Sequence, residues 1–252
     1  MGERIVITSG KGGVGKTTAT TNLGIALAAE GATVVLVDAD VGLNNLDVAM
    51  GVEHKVIYDL LDVAEGKCRL RQALIRDERI DTLSVLPSAK GYGEKPGVKE
   101  MQAIVAELAK EFDFVLIDCP AGIEQGFHRA VSAAERAVVV TTPHIGAVRD
   151  ADKVLGLLSV YPVTIAGLLV NRIRPDLIER GATMSPEDIA RLLKTELLAT
   201  VPEDDGVGIG HRAFVRSGAG EAYRLAALRL MGKGSEVYDY RKKNLLRRIF
   251  GR

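Results

Sequence analysis

The sequence predicts an α/β fold with an open, mostly parallel, twisted sheet of about eight strands and helices on both faces. Short β-branched, apolar runs recur along the chain, and stretches with helical spacing separate them. Such alternation requires crossover connections, which place strands side by side in parallel and cover the sheet with helices. The 252 residues suffice to bury one large core. We expect this domain over residues 1–232, followed by a tether and a C-terminal amphipathic helix over residues 233–252.

Bulk composition argues against several classes of protein. Basic and acidic residues number 33 each, so the formal net charge is zero. Attraction of the whole protein to nucleic acid is therefore not expected, although a local basic patch stays open. The two cysteines form no motif, which is typical of a reduced, cytosolic protein. We expect no signal peptide, since a strand follows the first residues directly, and no apolar run reaches transmembrane length.

A glycine-rich loop lies between the first predicted strand, residues 4–8, and a helical stretch, residues 17–30. Residues 9–18 run SGKGGVGKTT and fit the pattern G-x-x-x-x-G-K-[ST]. Backbone N–H groups of such a loop cradle phosphates, while Lys16 reaches the β- and γ-phosphates and the Thr17 hydroxyl binds Mg²⁺. A glycine turn that binds nothing is the alternative, and the strand–loop–helix context disfavours it. The expected nucleotide contacts of the loop are Gly10, Lys11, Gly12, Gly13, Val14, Gly15, Lys16, Thr17 and Thr18.

A second lysine, Lys11, lies inside the same loop. Because Lys16 already serves one nucleotide, an extra cation is best explained by charge elsewhere, for example on a nucleotide in a facing subunit. A solvated loop lysine is the alternative. The run KGGVGKTT resembles the deviant Walker A loop of the MinD/ParA family of dimerising ATPases. The resemblance implies that Lys11 crosses a dimer to the partner's nucleotide, and that the cofactors are ATP and Mg²⁺.

Two predicted strands end in aspartate. Residues 33–38 end at Asp38, with Asp40 close behind, and residues 112–118 end at Asp118. Carboxylates at the carboxyl ends of strands lie at the ligand edge of an open α/β sheet. Asp38 and Asp40 would face Mg²⁺ and the attacking water; the alternative is a polar turn that only ends the strand. Asp118 has the Walker B arrangement, an apolar strand that ends in aspartate, and would hold Mg²⁺.

The family resemblance extends to both aspartate segments and implies that Asp40 positions water or couples hydrolysis to dimerisation. It also implies a mobile segment at Pro120–Gly122 that senses the γ-phosphate. The expected catalytic residues are Lys11, Lys16, Asp40 and Asp118. The expected magnesium ligands are Thr17, Asp38, Asp40 and Asp118.

The later part of the chain supplies the predicted base site. A strand over residues 163–170 precedes Asn171, which on its own could be an ordinary strand-end asparagine. The resemblance implies that Asn171 contacts the adenine edge, and that Pro202, Glu203 and Asp204 border the base.

The remaining predicted elements follow from local patterns. Ser185 with Pro186 predicts a helix start. Helical pieces are expected over 56–62, 70–76, 98–110 and 147–158, and strands over 83–87, 136–143 and 197–201.

The last residues combine basic and apolar side chains and contain no acid. On a helix, one face would carry the apolar residues and its flanks the basic ones. A final core helix and a disordered arm on nucleic acid are alternatives, but the pattern favours an interfacial helix on anionic lipid, and the resemblance includes such a tail. The expected membrane residues are Leu245, Leu246, Ile249 and Phe250, flanked by Lys242, Lys243, Arg247 and Arg248.

The resemblance covers nearly the whole chain and implies a membrane-switch ATPase that helps place the division septum. ATP would close a homodimer that docks on inner-membrane lipid, and hydrolysis would release it. The implied partners are a MinC-like division inhibitor and a MinE-like activator, without nucleic acid. A ParA-type DNA-partition ATPase and a FlhG-type regulator of flagellar number are the alternatives. Asn44 and the residues after Asp204 depart from the family pattern.

Overall fold

The structure is a computed structural model that describes residues 1–41, 45–88, 96–210, 212 and 217–241. Two groups of sequence predictions lie outside these residues. They are Asn44 and the tail residues Lys242, Lys243, Leu245, Leu246, Arg247, Arg248, Ile249 and Phe250.

Eight strands are present in the described part of the chain, and all belong to one sheet. They are β1 Glu3–Thr8, β2 Val34–Asp38, β3 Ile75–Arg76, β4 Leu83–Leu86, β5 Phe114–Asp118, β6 Arg136–Thr141, β7 Thr164–Ile173 and β8 Leu197–Pro202. Their order across the sheet is β3-β4-β2-β5-β1-β6-β7-β8, and every neighbouring pair except β3–β4 is parallel. The predicted fold class is confirmed.

Helices cover both faces of this sheet. Those described are α1 Lys16–Ala29, α2 Leu46–Met50, α3 Leu60–Ala64, α4 Leu70–Ala73, α5 Val98–Leu108, α6 Gln125–Ser132, α7 Ile145–Leu158, α8 Pro175–Glu179, α9 Pro186–Leu193, α10 Asp205–Gly210 and α11 Gly218–Leu230. None of these helices is long and apolar enough to cross a membrane.

Alternation along the buried strands produces two hydrophobic cores. In β1, Ile5 and Ile7 pack with α1 and α11, whereas Val6 packs on the opposite face with α5, α6, α7 and α9. Successive strand residues point to opposite faces, so a strand buried on both sides is apolar at every position. The predicted start of α9 is confirmed, because the Ser185 hydroxyl accepts a hydrogen bond from the Asp188 amide.

Several elements differ from the sequence prediction, among them the helices α2, α6, α8 and α10, which no pattern predicts. The predicted helical piece over 70–76 is wrong at its end: α4 stops at Ala73, and β3 pairs antiparallel with β4. A two-residue strand is too short to show an alternating apolar pattern, so the sequence does not predict it. The strand forms because it pairs with the edge of β4. Helix α11 is not predicted from the sequence, because its start is rich in glycine.

The segment 233–241, here called the C-terminal strap, is exposed at its start and contacts the domain through Tyr238 and Tyr240. Tyr240 is only 4 % exposed and belongs to the core on the α9 side of the sheet. Tyr238 packs partly buried against both cores. The strap ends at Arg241, directly before the predicted membrane tail.

Candidate nucleotide and magnesium site

The candidate site lies at the carboxyl edge of the sheet, where β1, β2 and β5 end side by side. The parallel register pairs Asp38 of β2 with Asp118 of β5, and Asp118 with Ile7 of β1. The glycine loop leaves β1 one residue beyond Thr8. The structure therefore brings the loop and two of the predicted carboxylates together, as expected for the ligand edge of such a sheet.

Several glycines of the loop are required by its geometry. Gly13 and Gly15 have φ of 79° and 97°, which L side chains rarely adopt. A Cβ on Gly15 would clash with the Asn171 amide nitrogen, and one on Gly10 would clash with the Asp150 backbone. The result is a backbone cradle that leads into the N-terminus of α1, whose first N–H groups lack partners within the helix. This cradle fits the phosphates of a nucleotide.

Lys16, Thr17 and Asp118 meet below the loop. Lys16 is charged and yet only 8 % exposed. The Thr17 hydroxyl donates to Asp118 Oδ2 at 2.7 Å, and the Thr20 hydroxyl donates to Asp118 Oδ1 at 3.1 Å. Thr20 is missed by the sequence motif, although its position three residues after Thr17 on α1 places both on one helix face.

Asp38 is buried beside Asp118. Its Oδ1 accepts from the Asp40 amide at 2.9 Å, and its Oδ2 accepts from the Leu46 amide at 3.2 Å. Burial and the neighbouring Asp118 charge raise the pKa of Asp38 to about 8. Burial also raises the pKa of Asp118 to about 6, against the lowering effects of Thr17 and Lys16. Two buried carboxylates beside a hydroxyl would gain from a divalent cation, so this donor set fits Mg²⁺.

The predicted ligands of the ion therefore have different surroundings. Thr17 and Asp118 lie together, whereas Asp38 is engaged by backbone amides and holds the turn that carries Asp40. Among the described residues, no three His, Cys, Asp or Glu side chains form a metal-binding group. A magnesium ion that is held through few protein groups takes its other ligands from phosphate and water.

The predicted base residues line one cavity of about 550 Å³. Asn171, Pro202, Glu203 and Asp204 all border it, and Thr18 of α1 lies on its wall. Asn171 is buried and donates from Nδ2 to the Val14 carbonyl at 2.9 Å. Its remaining polar atom, Oδ1, is an acceptor and would suit the amino group of adenine.

Arg212 lies in the segment that departs from the family pattern, and the sequence patterns do not single it out. It pairs with buried Asp77 at 2.6 Å and donates to the Met50 carbonyl at the end of α2 at 2.5 Å. Helix α2 begins at Leu46, whose amide holds Asp38. This part of the unusual segment thus anchors the helix that follows the Asp38 turn.

Comparison with known proteins identifies the family. The model of the CobQ/CobB/MinD/ParA nucleotide-binding domain matches residues 5–209. The septum site-determining protein MinD of Bacillus subtilis is 48% identical over 260 aligned positions, which cover 99% of this chain and 97% of the relative. The chain belongs to the MinD proteins of the MinD/ParA family. The predicted resemblance is confirmed.

Solved MinD structures agree with this assignment. MinD in the MinC:MinD cell division complex of Aquifex aeolicus is 40% identical with a TM-score of 0.87, over 94% of this chain and 99% of that one. MinD of Pyrococcus horikoshii, solved with Mg-ADP, is 31% identical with a TM-score of 0.83, over 91% and 96% of the two chains. As a MinD protein, this chain is an ATPase of septum placement that uses ATP and Mg²⁺.

Each group of the site would have its own role in hydrolysis. The Lys16 charge and the α1 N-terminus would stabilise negative charge that develops on the phosphates. Thr17 and Asp118 would hold Mg²⁺, which neutralises phosphate charge when bound. The Asp38 turn presents Asp40, the residue expected to position the attacking water. Since Asp38, Asp118 and Lys16 are already buried, little reorganisation of charged groups is needed during the reaction.

Without metal or nucleotide, the stability of the protein is expected to fall as the pH rises. Unfolded Asp38 and Asp118 ionise near pH 3.9, but the folded protein holds these protons up to about 8 and about 6. Between those limits the folded state binds more protons than the unfolded state, so each pH unit lowers its stability. Thermal unfolding in EDTA between about pH 5 and pH 8 measures this. Asp38→Asn should flatten the upper part of the curve, and an unchanged slope would contradict the assignment.

Asn171→Ala is expected to weaken nucleotide binding by about tenfold, since a buried hydrogen bond contributes roughly 1 kcal/mol or more. The substitution removes the bond that holds the Val14 carbonyl and also removes an amide side chain from the wall of the base cavity. Calorimetric titration with ADP measures the change. Asn171→Asp is the matched variant: it keeps the size but cannot donate to Val14 when ionised, so it should bind no better than alanine. Wild-type affinity in both variants would contradict the role of Asn171.

Proposed function

We propose that this chain is a membrane switch that dimerises over ATP, docks on anionic lipid with its tails and carries a division inhibitor there until hydrolysis releases it. The position of Lys11 carries this proposal. Lys16 is buried beneath the glycine loop, whereas Lys11 is exposed on its outer side. Two lysines of one loop thus face different spaces, and the outer one is available to a nucleotide in a second subunit.

The surface around Lys11 suits a second copy of the chain. Lys11 lines an outer cavity of about 470 Å³ together with His144 and Arg172. Two large apolar side chains adjoin this edge: Ile145 is 70% exposed at the start of α7, and Ile123 is 44% exposed after the Pro120–Gly122 segment. Exposed apolar residues that lie together on a surface are typical of a site that binds a partner.

The basic tail supplies the proposed membrane contact. Each basic residue near an anionic surface contributes about 1 kcal/mol, and the apolar stripe adds partial burial. One tail therefore binds weakly, whereas two tails in one dimer gain about 10²–10⁴ in apparent affinity. The protein would cycle between the cytoplasm and the cytoplasmic face of the cell membrane as a peripheral protein.

The proposed partners follow from the family. The Aquifex MinD chain that is 40% identical to this one was solved in a complex with MinC, which supports a MinC-like division inhibitor as partner. A MinE-like activator of hydrolysis is proposed from the resemblance. Nucleic acid is not expected as a partner, since the formal net charge is zero.

Co-sedimentation with phosphatidylglycerol-containing liposomes tests the proposal. The full chain should sediment with ATP and stay in solution with ADP, and sedimentation equilibrium should show a dimer with ATP alone. If the chain binds no lipid with either ATP or ADP, but binds DNA with ATP in a mobility-shift assay, the membrane switch is overturned. That result would favour a DNA-partition ATPase.

A further inference from the structure

The C-terminal strap runs beside β8, the edge strand of the sheet. The Thr200 hydroxyl of β8 donates to the Tyr238 carbonyl. Arg229 of α11 donates to two carbonyls, that of Ser235 in the strap and that of Leu197 in β8 at 3.1 Å. The strap is thus fastened to the domain at two points before it reaches the tail.

Tyr238 fills a place between α11 and the base cavity. A Cβ on Gly218 would lie 2.7 Å from the Tyr238 hydroxyl and 3.2 Å from Cγ of Pro202. Pro202 and Ala219 both border the base cavity. The strap therefore packs against the back of residues that are predicted to border the base.

The end of the strap is held by one carboxylate on α9. Glu187 Oε2 accepts from the Tyr240 hydroxyl at 3.0 Å, and Glu187 Oε1 pairs with Arg241 at 3.0 Å. The Arg241 guanidinium also lies 4.9 Å from the Tyr240 ring centroid. Because Tyr240 is buried, these contacts hold the last residue before the tail on the domain surface.

We propose that Glu187, Tyr240 and Arg241 form a clasp that fixes the root of the membrane tail beside α9. The inference rests on the proposed function of the tail. With the clasp closed, Arg241 is held on the domain surface. With it open, the last fixed point of the strap is Tyr238, whose carbonyl is bound by Thr200. The three residues 239–241 would then let the root of the tail move by roughly 9 Å, since a flexible chain spans about 5–6 Å times the square root of its length.

A fixed root matters because membrane binding by the dimer is bivalent. Once one tail is bound, the second tail binds at an effective concentration set by the flexible chain that joins it to the domain. Beyond the length that just spans the two sites, this concentration falls at least as the −3/2 power of the length of that chain. The clasp should therefore strengthen binding in ATP, where two tails act together, and leave the weak binding of a single tail unchanged. A strap that only seals the edge of β8 would not produce this difference between nucleotide states.

Glu187→Ala in the full chain is the test, with Glu111→Ala as its matched control. Glu111 pairs with Arg71 at 2.8 Å, and its side chain is 41% exposed against 42% for Glu187, but it lies away from the strap. Both variants lose one negative charge, which by itself favours anionic lipid. A decrease in binding for Glu187→Ala is therefore not a charge effect.

We expect Glu187→Ala to keep wild-type ATPase activity and to weaken ATP-dependent liposome binding by about threefold or more, with unchanged binding in ADP. Hydrogen exchange over 239–241 should rise. Tyr240→Ala should act in the same direction, provided that thermal unfolding shows it folded. Binding equal to that of Glu111→Ala, or an equal loss in ATP and ADP, would overturn the clasp alone. Failure of the wild-type chain to bind lipid in ATP would overturn the membrane switch as well.

Discussion

Lys16→Ala is expected to lower kcat for ATP hydrolysis by about 10²–10³ or more, the usual effect of removing one charge-stabilising donor. Lys16 begins α1 and is buried with Asp118. Its charge lowers the pKa of Asp118 and would also stabilise the phosphates of a bound nucleotide. The substitution therefore removes a hydrogen-bond donor to phosphate. It also removes positive charge that balances the buried carboxylates, which should weaken Mg²⁺ binding.

Phosphate release at saturating ATP measures the effect, and calorimetry with Mg-ADP separates binding from turnover. Lys110→Ala is the control, because Lys110 is an exposed lysine that pairs only at the surface with Glu107. It should hydrolyse ATP at the wild-type rate. Normal turnover by Lys16→Ala would remove Lys16 from the catalytic residues and would place the phosphate site elsewhere.

Ending the chain after Arg241 is expected to abolish ATP-dependent membrane binding. The loss exceeds the factor of about 10²–10⁴ that two linked tails gain over one, because the binding of each single tail is lost too. The cut removes the basic and apolar residues of the tail and leaves the strap whole. A cut at Ser235 would be a poorer test, because it also deletes buried Tyr240 and the Tyr238 contacts at the base cavity. A loss of membrane binding in that shorter chain could come from the missing tail or from the lost core packing, and the assay would not separate the two.

The truncated chain should still hydrolyse ATP and dimerise in sedimentation. A full-length variant with Leu246→Gln and Phe250→Gln is the companion: it keeps every basic residue but loses much of the apolar stripe. Strong loss of lipid binding in this variant would confirm an inserted apolar face, whereas full binding would indicate purely electrostatic attachment. Lipid binding by the chain that ends at Arg241 would contradict the tail assignment outright.

Local patterns were sufficient for the features whose cause is local. The glycine loop, the strands ending in Asp38 and Asp118, and the Ser185 cap each depend on a few adjacent residues, and the structure has them where they are predicted. The two-residue strand β3 and the docking of Tyr240 depend on contacts between distant segments. No window of sequence carries those contacts, because the partner surface is assembled only by the fold.

The same limit applies within the candidate site. A motif places Thr17 and Asp118 in it but does not show that Thr20 shares the carboxylate. Nor does it show that the Asn171 amide holds the loop through Val14 across 157 residues of chain. Hydrogen bonds of this kind depend on how distant segments pack together in the fold, which no local pattern of a single sequence shows.

The central position of β1 has a consequence for synthesis. Strand β1 pairs on one side with β5 and on the other with β6, both of which follow it in the chain, so that Ile7 meets Asp118 and Thr8 meets Val139. The glycine loop emerges early from the ribosome but remains without its carboxylate until β5 is made, and without its asparagine until Asn171 appears. Such long-range pairing slows folding and leaves apolar strands open in the nascent chain. ATP can therefore stabilise only a nearly complete chain, and shorter nascent chains expose apolar strands that are prone to aggregation.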